Sequence, residues 1–187
     1  MAKVAGNIVL HGASGMLGDQ IVIRQRSGHI ILAQAPVEST KEPTEAQAAQ
    51  RHQFQRAVLC GKRVVDDPAE KPDYQAKAKP LQSAFNVAVA DFLHAPDIDE
   101  IDVTHYHGAS GDTIRVRVTD DFEVKQVTVA IHNGDGSLVE EGEAAHQENS
   151  LDWIYTATAE NTETAGDRIE IHALDRPGNV AEEEQPL

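Results

Sequence analysis

The sequence has almost no cysteine and few aromatic residues. Cys60 is the single cysteine among 187 residues, which excludes an intrachain disulfide and a zinc site built from several cysteines. Phenylalanine, tryptophan and tyrosine together make up only 4% of the chain, so a core has to be built mainly from valine, isoleucine, leucine and alanine. With 40% hydrophobic residues, the composition is still that of a folded protein.

Long apolar runs are also missing. No stretch approaches the roughly 20 apolar residues that a membrane-spanning helix requires, so we expect no membrane insertion. The first residues lack the apolar segment of a signal peptide. We therefore expect synthesis in the cytoplasm, which also fits a subunit that is later incorporated into a released particle or an extracellular filament.

Positive charge is scarce and unevenly distributed, and the net charge is −15. Residues 1–65 contain eight Lys or Arg against four Asp or Glu, a net charge of +4. Residues 66–187 contain eight against 27, a net charge of −19. The acidic part should repel nucleic acid, so no nucleic-acid partner is expected. The basic part could bind an anion or the acidic part of a second copy.

The first half of the chain predicts strands followed by helices. Residues 4–35 have the pattern of short strands with glycine turns, and residues 36–43 form a polar linker bounded by prolines. Thr44 and Gln47 form a capping box at the start of the first predicted helix. Residues on one stripe of this helix are predicted to be buried: Ala46, Ala49, Phe54, Ala57, Val58 and Gly61.

Two further helices are predicted before residue 97. The first of them is short and interrupted by Pro72, and the second ends at Pro96. Apolar residues spaced by three or four positions are predicted to form the buried stripe of this last helix: Leu81, Phe85, Ala88 or Val89, and Phe92.

After Pro96 the hydrophobic period changes to two, which is typical of strands with one buried face. The alternating apolar residues fall in four groups: Ile114, Val116 and Val118; Val127, Val129 and Ile131; Leu151, Trp153, Tyr155 and Ala157; Ile169, Ile171 and Ala173. The string NGDG at 133–136 predicts a hairpin. About seven short strands in roughly 90 residues predict a β-sandwich.

The loop with Gly12, Gly15 and Gly18 follows an apolar run, as in dinucleotide-binding enzymes. A helix should then begin, but its apolar face would have to pass through Arg24 and Gln25. The residues after Gly18 favour a strand instead, and no acidic residue follows at the position that would bind a ribose. We therefore predict a turn between strands.

The same loop resembles that of extended short-chain dehydrogenases, whose sequence is often GASG-x-LG. That family also has a catalytic Tyr-x-x-x-Lys. Here the residues four positions after Tyr74, Tyr106 and Tyr155 are Ala78, Ser110 and Ala159. A nicotinamide-dependent enzyme that uses the Gly12–Gly18 loop is therefore kept only as an alternative hypothesis.

Short strings of the glycine loop recur later in the chain. HGASG occurs at 11–15 and at 107–111, and Gly-Asp precedes a predicted strand at residues 18, 111 and 166. The later two lie in the all-β half, where a nucleotide-binding helix is not expected. The recurrence is explained by one type of local turn that occurs three times. In this turn glycine reverses the chain, aspartate caps the turn and a strand follows.

Two groups of side chains are candidate metal ligands. His105 and His107 would face the same way if they lay on a strand, although a surface pair without a metal is the simpler interpretation. The linker PDIDEID carries four acidic residues: Asp97, Asp99, Glu100 and Asp102. Calcium binding to these residues would make the protein a calcium-dependent adhesive module. The alternative interpretation of the linker is a solvated acidic hinge. We assign no catalytic, cofactor-binding or metal-binding residue from the sequence.

Two segments resemble known families. Two strings of the C-terminal half resemble bacterial immunoglobulin-like domains. They are IEIHALDRPGNV at 169–180 and DDFEVKQVTVAIHNGDGSLVE at 120–140. The N-terminal part resembles an uncharacterised family of bacterial proteins with the pattern P-T-x-x-Q-x-x-x-R-x-x-F. The matching residues are Gly12 to Asp19, Arg24 to Gly28, and Pro43-Thr44 through Gln47, Arg51 and Phe54. The first resemblance implies an immunoglobulin-like sandwich over the C-terminal half; the second implies no activity.

These observations together predict an α+β protein in two parts. Residues 1–96 form an N-terminal β-hairpin or meander with helices, and residues 97–187 form an all-β immunoglobulin-like sandwich. We expect a non-enzymatic structural or interaction protein without a cofactor, as a subunit of a larger homo-oligomeric assembly such as a filament, sheath or phage-like particle. The N-terminal strands, which form a sheet too small to bury much by itself, are the expected contact between copies.

Overall fold

The computed structural model describes residues 2–4, 10–26, 28–37 and 42–187. These residues form three helices and twelve strands, and the strands are arranged in three antiparallel sheets of four. The protein is therefore a mixed α+β protein with a β-sandwich-like part, as the coarse sequence prediction states. None of the helices in the described part of the chain has the length and apolarity needed to cross a membrane.

The chain divides into two compact units, Met1–Ala49 and Gln50–Leu187. The boundary predicted from the sequence, between residues 96 and 97, instead coincides with the passage from the last helix to the next strand. The division into two domains at residues 96 and 97 therefore stays a prediction. The helices that the sequence assigned to the first part belong mostly to the second unit.

The first unit contains a small sheet with the strand order β1-β4-β3-β2. Its strands are β1 (Ala2–Val4), β2 (Gly15–Leu17), β3 (Ile21–Arg26) and β4 (His29–Gln34). Gly18 and Asp19 both have positive φ, at 56° and 53°, and these left-handed residues make the tight turn from β2 to β3. The prediction of a strand rather than a helix after the glycine loop is confirmed; residues 7–9 of the predicted first strand lie outside the described residues.

Three helices follow: α1 (Glu45–Asp66), α2 (Lys71–Lys77) and α3 (Ala84–Leu93). The capping box is confirmed, because the Thr44 N–H donates to Gln47 Oε1 at 3.1 Å and the Gln47 N–H donates to Thr44 Oγ1 at 3.3 Å. Both bonds satisfy N–H groups that the first helical turn cannot pair.

The buried faces of α1 and α3 differ in part from the predicted stripes. α1 buries Ala57, Gly61 and Val64, whereas Phe54 is 52% exposed. The reason is close packing: a Cβ on Gly61 would lie 2.8 Å from Val89 Cγ2, so α3 approaches the C-terminal half of α1 at its glycine. On α3 the buried residues are Ala84, Ala88 and Asp91, and the predicted Leu81 precedes the helix and is exposed.

Eight strands form the sandwich-like part. In chain order they are β5 (Asp97–Asp102), β6 (Thr113–Thr119), β7 (Val124–His132), β8 (Leu138–Glu143), β9 (Ala145–His146), β10 (Asp152–Thr156), β11 (Arg168–Asp175) and β12 (Val180–Pro186). One sheet has the order β5-β6-β10-β9 and the other β12-β11-β7-β8.

The predicted alternation is confirmed by burial on β6, β7 and β11. In the group predicted around β10, Tyr155 and Ala157 are buried, but Leu151 precedes the strand and is 56% exposed. The inward side chains of β6, β7, β10 and β11 form one core: Ile114, Val116, Val118, Val127, Val129, Ile131, Tyr155, Ile169, Ile171 and Ala173. The NGDG hairpin is also confirmed, since the Asn133 N–H donates to the Ser137 carbonyl at 2.9 Å between β7 and β8.

A second, smaller core joins the helices to one end of the sandwich. It contains Val64 of α1, Tyr74 of α2, Ala84 and Ala88 of α3, and Phe122 from the turn between β6 and β7. The rings of Tyr74 and Phe122 stack with centroids 3.9 Å apart and an interplanar angle of 8°. This core explains why the helices and the sandwich form a single compact unit.

Candidate functional site

Three carboxylates converge beside this second core. Asp91 lies on the last turn of α3, Asp120 in the turn between β6 and β7, and Asp175 at the end of β11. One carboxylate oxygen from each lies within 4.8 Å of the other two. Asp91 and Asp175 are fully buried, and Asp120 is half-buried. This trio is the carboxylate cluster.

Local turns fix two members of the carboxylate cluster. Asp175 Oδ1 accepts the backbone N–H groups of Gly178 at 2.7 Å and Asn179 at 2.6 Å, which closes the turn into β12. Asp120 Oδ2 accepts the backbone N–H groups of Phe122 at 3.0 Å and Glu123 at 2.7 Å. Aspartate is favoured in such turns because its short side chain reaches the backbone a few residues ahead.

The side-chain amide of Asn179 connects the sandwich to the end of α3. Its Nδ2 lies 2.6 Å from Asp175 Oδ2 and 3.1 to 3.3 Å from the carbonyl oxygens of Asp91, Phe92 and His94. Helix C-termini leave carbonyl groups without partners in the helix, and this amide supplies a donor for them. The segment from Ala173 to Asn179, which carried the immunoglobulin-like resemblance, thereby positions Asp91 near Asp175.

Asp91 is the most unusual member of the cluster. Its Oδ2 accepts a hydrogen bond of 2.7 Å from the Tyr74 hydroxyl. Burial raises the pKa of Asp91 to about 7, and the neighbouring carboxylates of Asp120 and Asp175 add to this increase, while the Tyr74 hydrogen bond opposes it. Carboxylate oxygens are also the ligands that hard divalent cations prefer, so these are the described residues that could hold a metal ion.

Sequence reasoning did not identify the carboxylate cluster. One signal was present: Ala84, Ala88 and Asp91 fall at i, i+4 and i+7 of α3, so the buried stripe of the helix ends on a carboxylate. Charged residues are rarely fully buried without a partner. An aspartate in an apolar stripe is therefore a reason to look for a functional site.

The acidic linker forms strand β5, where other groups pair its carboxylates. Arg115 contacts Glu100 at 2.9 Å and Asp102 at 3.0 Å. Asp99 Oδ2 accepts the Thr119 hydroxyl at 2.8 Å. Among the described residues, the cluster of three carboxylates suited to a metal ion lies at Asp91 and its neighbours and not in this linker.

These ion pairs predict a loss of stability in acid. The Arg115 hydrogen bond lowers the pKa of Glu100, and the Arg117 hydrogen bond lowers the pKa of Asp152. A carboxylate with a lowered pKa in the folded state stabilises the protein above its ordinary pKa, and this contribution disappears as the pH falls through the folded value. We expect the urea midpoint to fall below about pH 4.5, where these groups begin to titrate in the unfolded chain.

Arg117→Gln tests the origin of this effect, since Arg117 contacts Asp152 at 2.9 Å and Glu100 at 3.1 Å. The variant should be less stable than the wild type at neutral pH, and the two should converge in acid. Lys125→Gln removes an exposed charge of the same sign and serves as the control. An equal effect of both variants at every pH would contradict the assignment to the ion pairs.

The histidine pair is not on a strand. His105 and His107 lie in the connection between β5 and β6, so the strand on which they would face the same way does not form there. His105 Nδ1 lies 3.1 Å from the Thr104 hydroxyl, and His107 Nδ1 lies 4.0 Å from Asp112 Oδ2. The extended backbone ends at Asp102, and the chain then turns at His105, where the Tyr106 N–H donates to the Val103 carbonyl at 3.0 Å.

The three Gly-Asp turns have a similar backbone conformation, but the hydrogen bonds of their aspartate side chains differ. Gly18, Gly111 and Gly166 all have positive φ, and β3, β6 and β11 follow them, as predicted. Asp112 caps its own turn by accepting the N–H groups of His107 and Ala109. Asp167 instead accepts from Gly134 N–H and the Asn161 side chain, so it connects separate loops.

No family model matches this chain, and no curated protein matches it. Among solved structures, CopC from Methylosinus trichosporium OB3b is 16% identical with a TM-score of 0.36, and the match covers 48% of this chain and 88% of CopC. An engineered protein is 20% identical with a TM-score of 0.35, and the match covers 58% of this chain and 30% of the engineered one. Scores this low carry no argument about function.

Proposed function

We propose that this is a non-enzymatic interaction protein that associates with further copies of itself through the sheet of its first unit. In this proposal the protein is a subunit of a larger homo-oligomeric assembly such as a filament, sheath or phage-like particle. The observation that carries the proposal is the large share of apolar side chains that this sheet leaves exposed.

The sheet has hardly any core of its own. Among the described residues of the first unit, Ala35 is the one hydrophobic residue that is buried. Met16, Leu17 and Ile21 are exposed around the turn from β2 to β3, and Val37 is exposed after β4. A small sheet is stable only when an apolar face is covered, so a second surface would supply the missing burial.

The edge strand β2 offers a way for copies to associate. In the described part of the chain, β2 pairs with β3 on one side and with no strand on the other. Its three residues Gly15–Leu17 are all exposed. An exposed edge of this kind can pair with a strand of a neighbouring molecule, through backbone hydrogen bonds and the apolar side chains beside them.

The charge of the first unit does not oppose a second copy as the partner of this sheet. Residues 1–49 carry four Lys or Arg and four Asp or Glu, so the first unit has no net charge although the whole chain carries −15. The positive excess noted for residues 1–65 therefore comes from α1: Arg51, Arg56, Lys62 and Arg63. Two neutral sheets can meet without the repulsion that two acidic units would experience.

We also propose that the sandwich is of the immunoglobulin-like type, which would serve as a spacer or presenting module in an assembly. The strand order supports this. If β5 is strand A, the two sheets β5-β6-β10-β9 and β12-β11-β7-β8 correspond to the orders A-B-E-D and G-F-C-C′ of immunoglobulin domains. A fold of this type is compatible with many functions, so the proposed assembly depends on the first unit.

Leu17→Asp tests the proposed contact, because Leu17 is 64% exposed on β2. Replacing a leucine that becomes buried on association should weaken self-association by about 10- to 100-fold. The measurement is light scattering after size-exclusion chromatography over a range of concentrations, with negative-stain images of the same samples. We expect oligomers of the wild type and a shift of the variant toward the 20.3 kDa monomer.

Leu138→Asp is the matched control. Leu138 is also a leucine on a strand and is 54% exposed, but it lies on β8 of the sandwich. This variant should assemble like the wild type. A wild type that stays monomeric at every concentration, or equal effects of both substitutions, would overturn the proposal.

A further inference from the structure

Of the three buried carboxylate oxygens in the second unit that have no hydrogen-bond donor among the described residues, Glu140 Oε1 lies outside the carboxylate cluster and two lie within it. These two are Asp91 Oδ1 and Asp120 Oδ1, and both are inaccessible to solvent. Asp91 is 0% exposed as a whole residue. A buried acceptor without a partner loses its hydration and gains nothing in return, which is costly for a carboxylate in particular.

The surroundings of these oxygens add negative charge. One oxygen of Asp175 lies within 4.8 Å of an oxygen of Asp91 and of an oxygen of Asp120, and Asp121 also lies close enough to disfavour the charged form of Asp91. Within the described ranges, no Lys, Arg or His forms an ion pair with Asp91, Asp120 or Asp175; the histidine nearby, His94, pairs with Asp121 instead. Three charged carboxylates this close repel one another, and a bound cation would relieve that repulsion.

We propose that Asp91, Asp120 and Asp175 bind a calcium ion where the end of α3 meets two turns of the sandwich. The site is independent of the sheet in the first unit and of the acidic linker on β5. The ion would connect the helical region to the turn between β6 and β7 and to the turn between β11 and β12.

The donor set fits calcium in kind and in size. All three side chains offer oxygen, and hard divalent cations prefer oxygen ligands. Calcium binds its ligands at about 2.3–2.6 Å, so two ligands on opposite sides of the ion lie up to about 5 Å apart. Magnesium binds at about 2.0–2.1 Å and needs near-octahedral geometry, so its ligands lie up to about 4 Å apart. The three ligand oxygens lie within 4.8 Å of one another, and the flexible coordination geometry of calcium accommodates such a set more readily than the near-ideal octahedron of magnesium.

The carboxylates are also held in place without the ion. Tyr74 fixes Asp91 through Oδ2, and two backbone N–H groups fix Asp120 through Oδ2. In both residues these hydrogen bonds leave Oδ1 without a donor among the described residues. Ligands that are already oriented lose little conformational entropy when they bind, which increases affinity.

A proton is the competing explanation. Burial raises the pKa of Asp91 to about 7, so at neutral pH a proton on this residue would also relieve the repulsion. A cluster that only holds protons would not respond to calcium at all. Calcium binding and protonation therefore make opposite predictions for the same purified protein.

The first experiment is calorimetry on the full chain after treatment with a chelator, with CaCl2 and MgCl2 as separate titrants at pH 7.5. We expect one calcium per chain and weaker binding of magnesium. The melting temperature should rise by several degrees at calcium concentrations about 100 times the dissociation constant, since only the folded state has the site. No heat and no shift at millimolar calcium, or equal binding of magnesium, would overturn the proposal.

The variant Asp120→Asn separates binding from folding. An asparagine oxygen can still accept the backbone bonds of the turn, and its amide can donate to Asp91 Oδ1. We therefore expect the variant to melt above the wild type in chelator and to lose the calcium response by at least tenfold in affinity. A variant that retains wild-type calcium binding would contradict the proposal.

Asp99→Asn is the matched control. Asp99 lies on β5 in the acidic linker and is exposed, so this substitution removes one negative charge from the same unit without touching the cluster. Its calcium affinity should stay within about twofold of the wild type. Loss of binding in this variant, with Asp120→Asn unaffected, would place the calcium site in the linker and not in the carboxylate cluster.

Discussion

Replacing Phe122 with alanine is expected to lower the free energy of unfolding by about 3–5 kcal/mol. Phe122 is only 4% exposed, although it lies in a turn between two strands of the sandwich. Its ring stacks on Tyr74 and packs in the core cluster that includes Val64 and Ala84. The truncation would leave a cavity between the helices and the sandwich that neither part can close alone.

Urea unfolding followed by circular dichroism measures this change, and hydrogen exchange shows where protection is lost. Protection should fall first in α2 and α3, because Phe122 is the residue between β6 and β7 that packs in their shared core. Phe54→Ala is the control, since Phe54 lies on α1 but is about half exposed, and it should cost less than 1 kcal/mol. Equal effects of the two substitutions would contradict the packing of the helices on the sandwich.

Gly108→Ala is expected to have a comparable effect, of about 3 kcal/mol or more. Gly108 has φ of +90°, and an added Cβ would lie 2.0 Å from the backbone oxygen of Asn161. The Gly108 carbonyl also accepts the Asn161 N–H at 2.7 Å, so the two segments are held in direct contact. Backbone cannot move aside as a side chain can, and the left-handed conformation adds about 1–2 kcal/mol of strain.

Gly111→Ala provides the comparison, because Gly111 has φ of +97° but nothing lies within 4 Å of the added Cβ. It should cost only the conformational strain of about 1–2 kcal/mol. The difference between the two variants in chemical denaturation isolates the close approach of the chain at Asn161. A Gly108→Ala variant no less stable than Gly111→Ala would show that the loop relaxes around the added methyl group.

Features that depend on a few neighbouring residues were predicted correctly. The capping box of Thr44 and Gln47 forms because both partners lie within one helical turn. The alternation on β6, β7 and β11 predicts their buried faces, since the strand period of two assigns every second side chain to one side. The hairpin at Asn133 follows from turn chemistry alone.

Features that depend on packing partners were predicted only in part. The sequence places Phe54 and Ala57 on one stripe of α1, but the buried part of that stripe is set by α3, which approaches at Gly61. His105 and His107 have the spacing of neighbours on a strand face, yet β5 ends at Asp102 and a turn follows at once. Periodicity defines a face; it does not define what covers that face.

The sequence by itself determined the class of the protein, the elements and their turns, because propensity, period and capping act over a few residues. Only the tertiary structure decided the carboxylate cluster. Asp91 belongs to a helix and Asp120 and Asp175 to two separate turns, and Asn179 and Phe122 bring these segments together. Contacts between segments so far apart in the chain are set by how sheets and helices pack, and no local pattern records that packing.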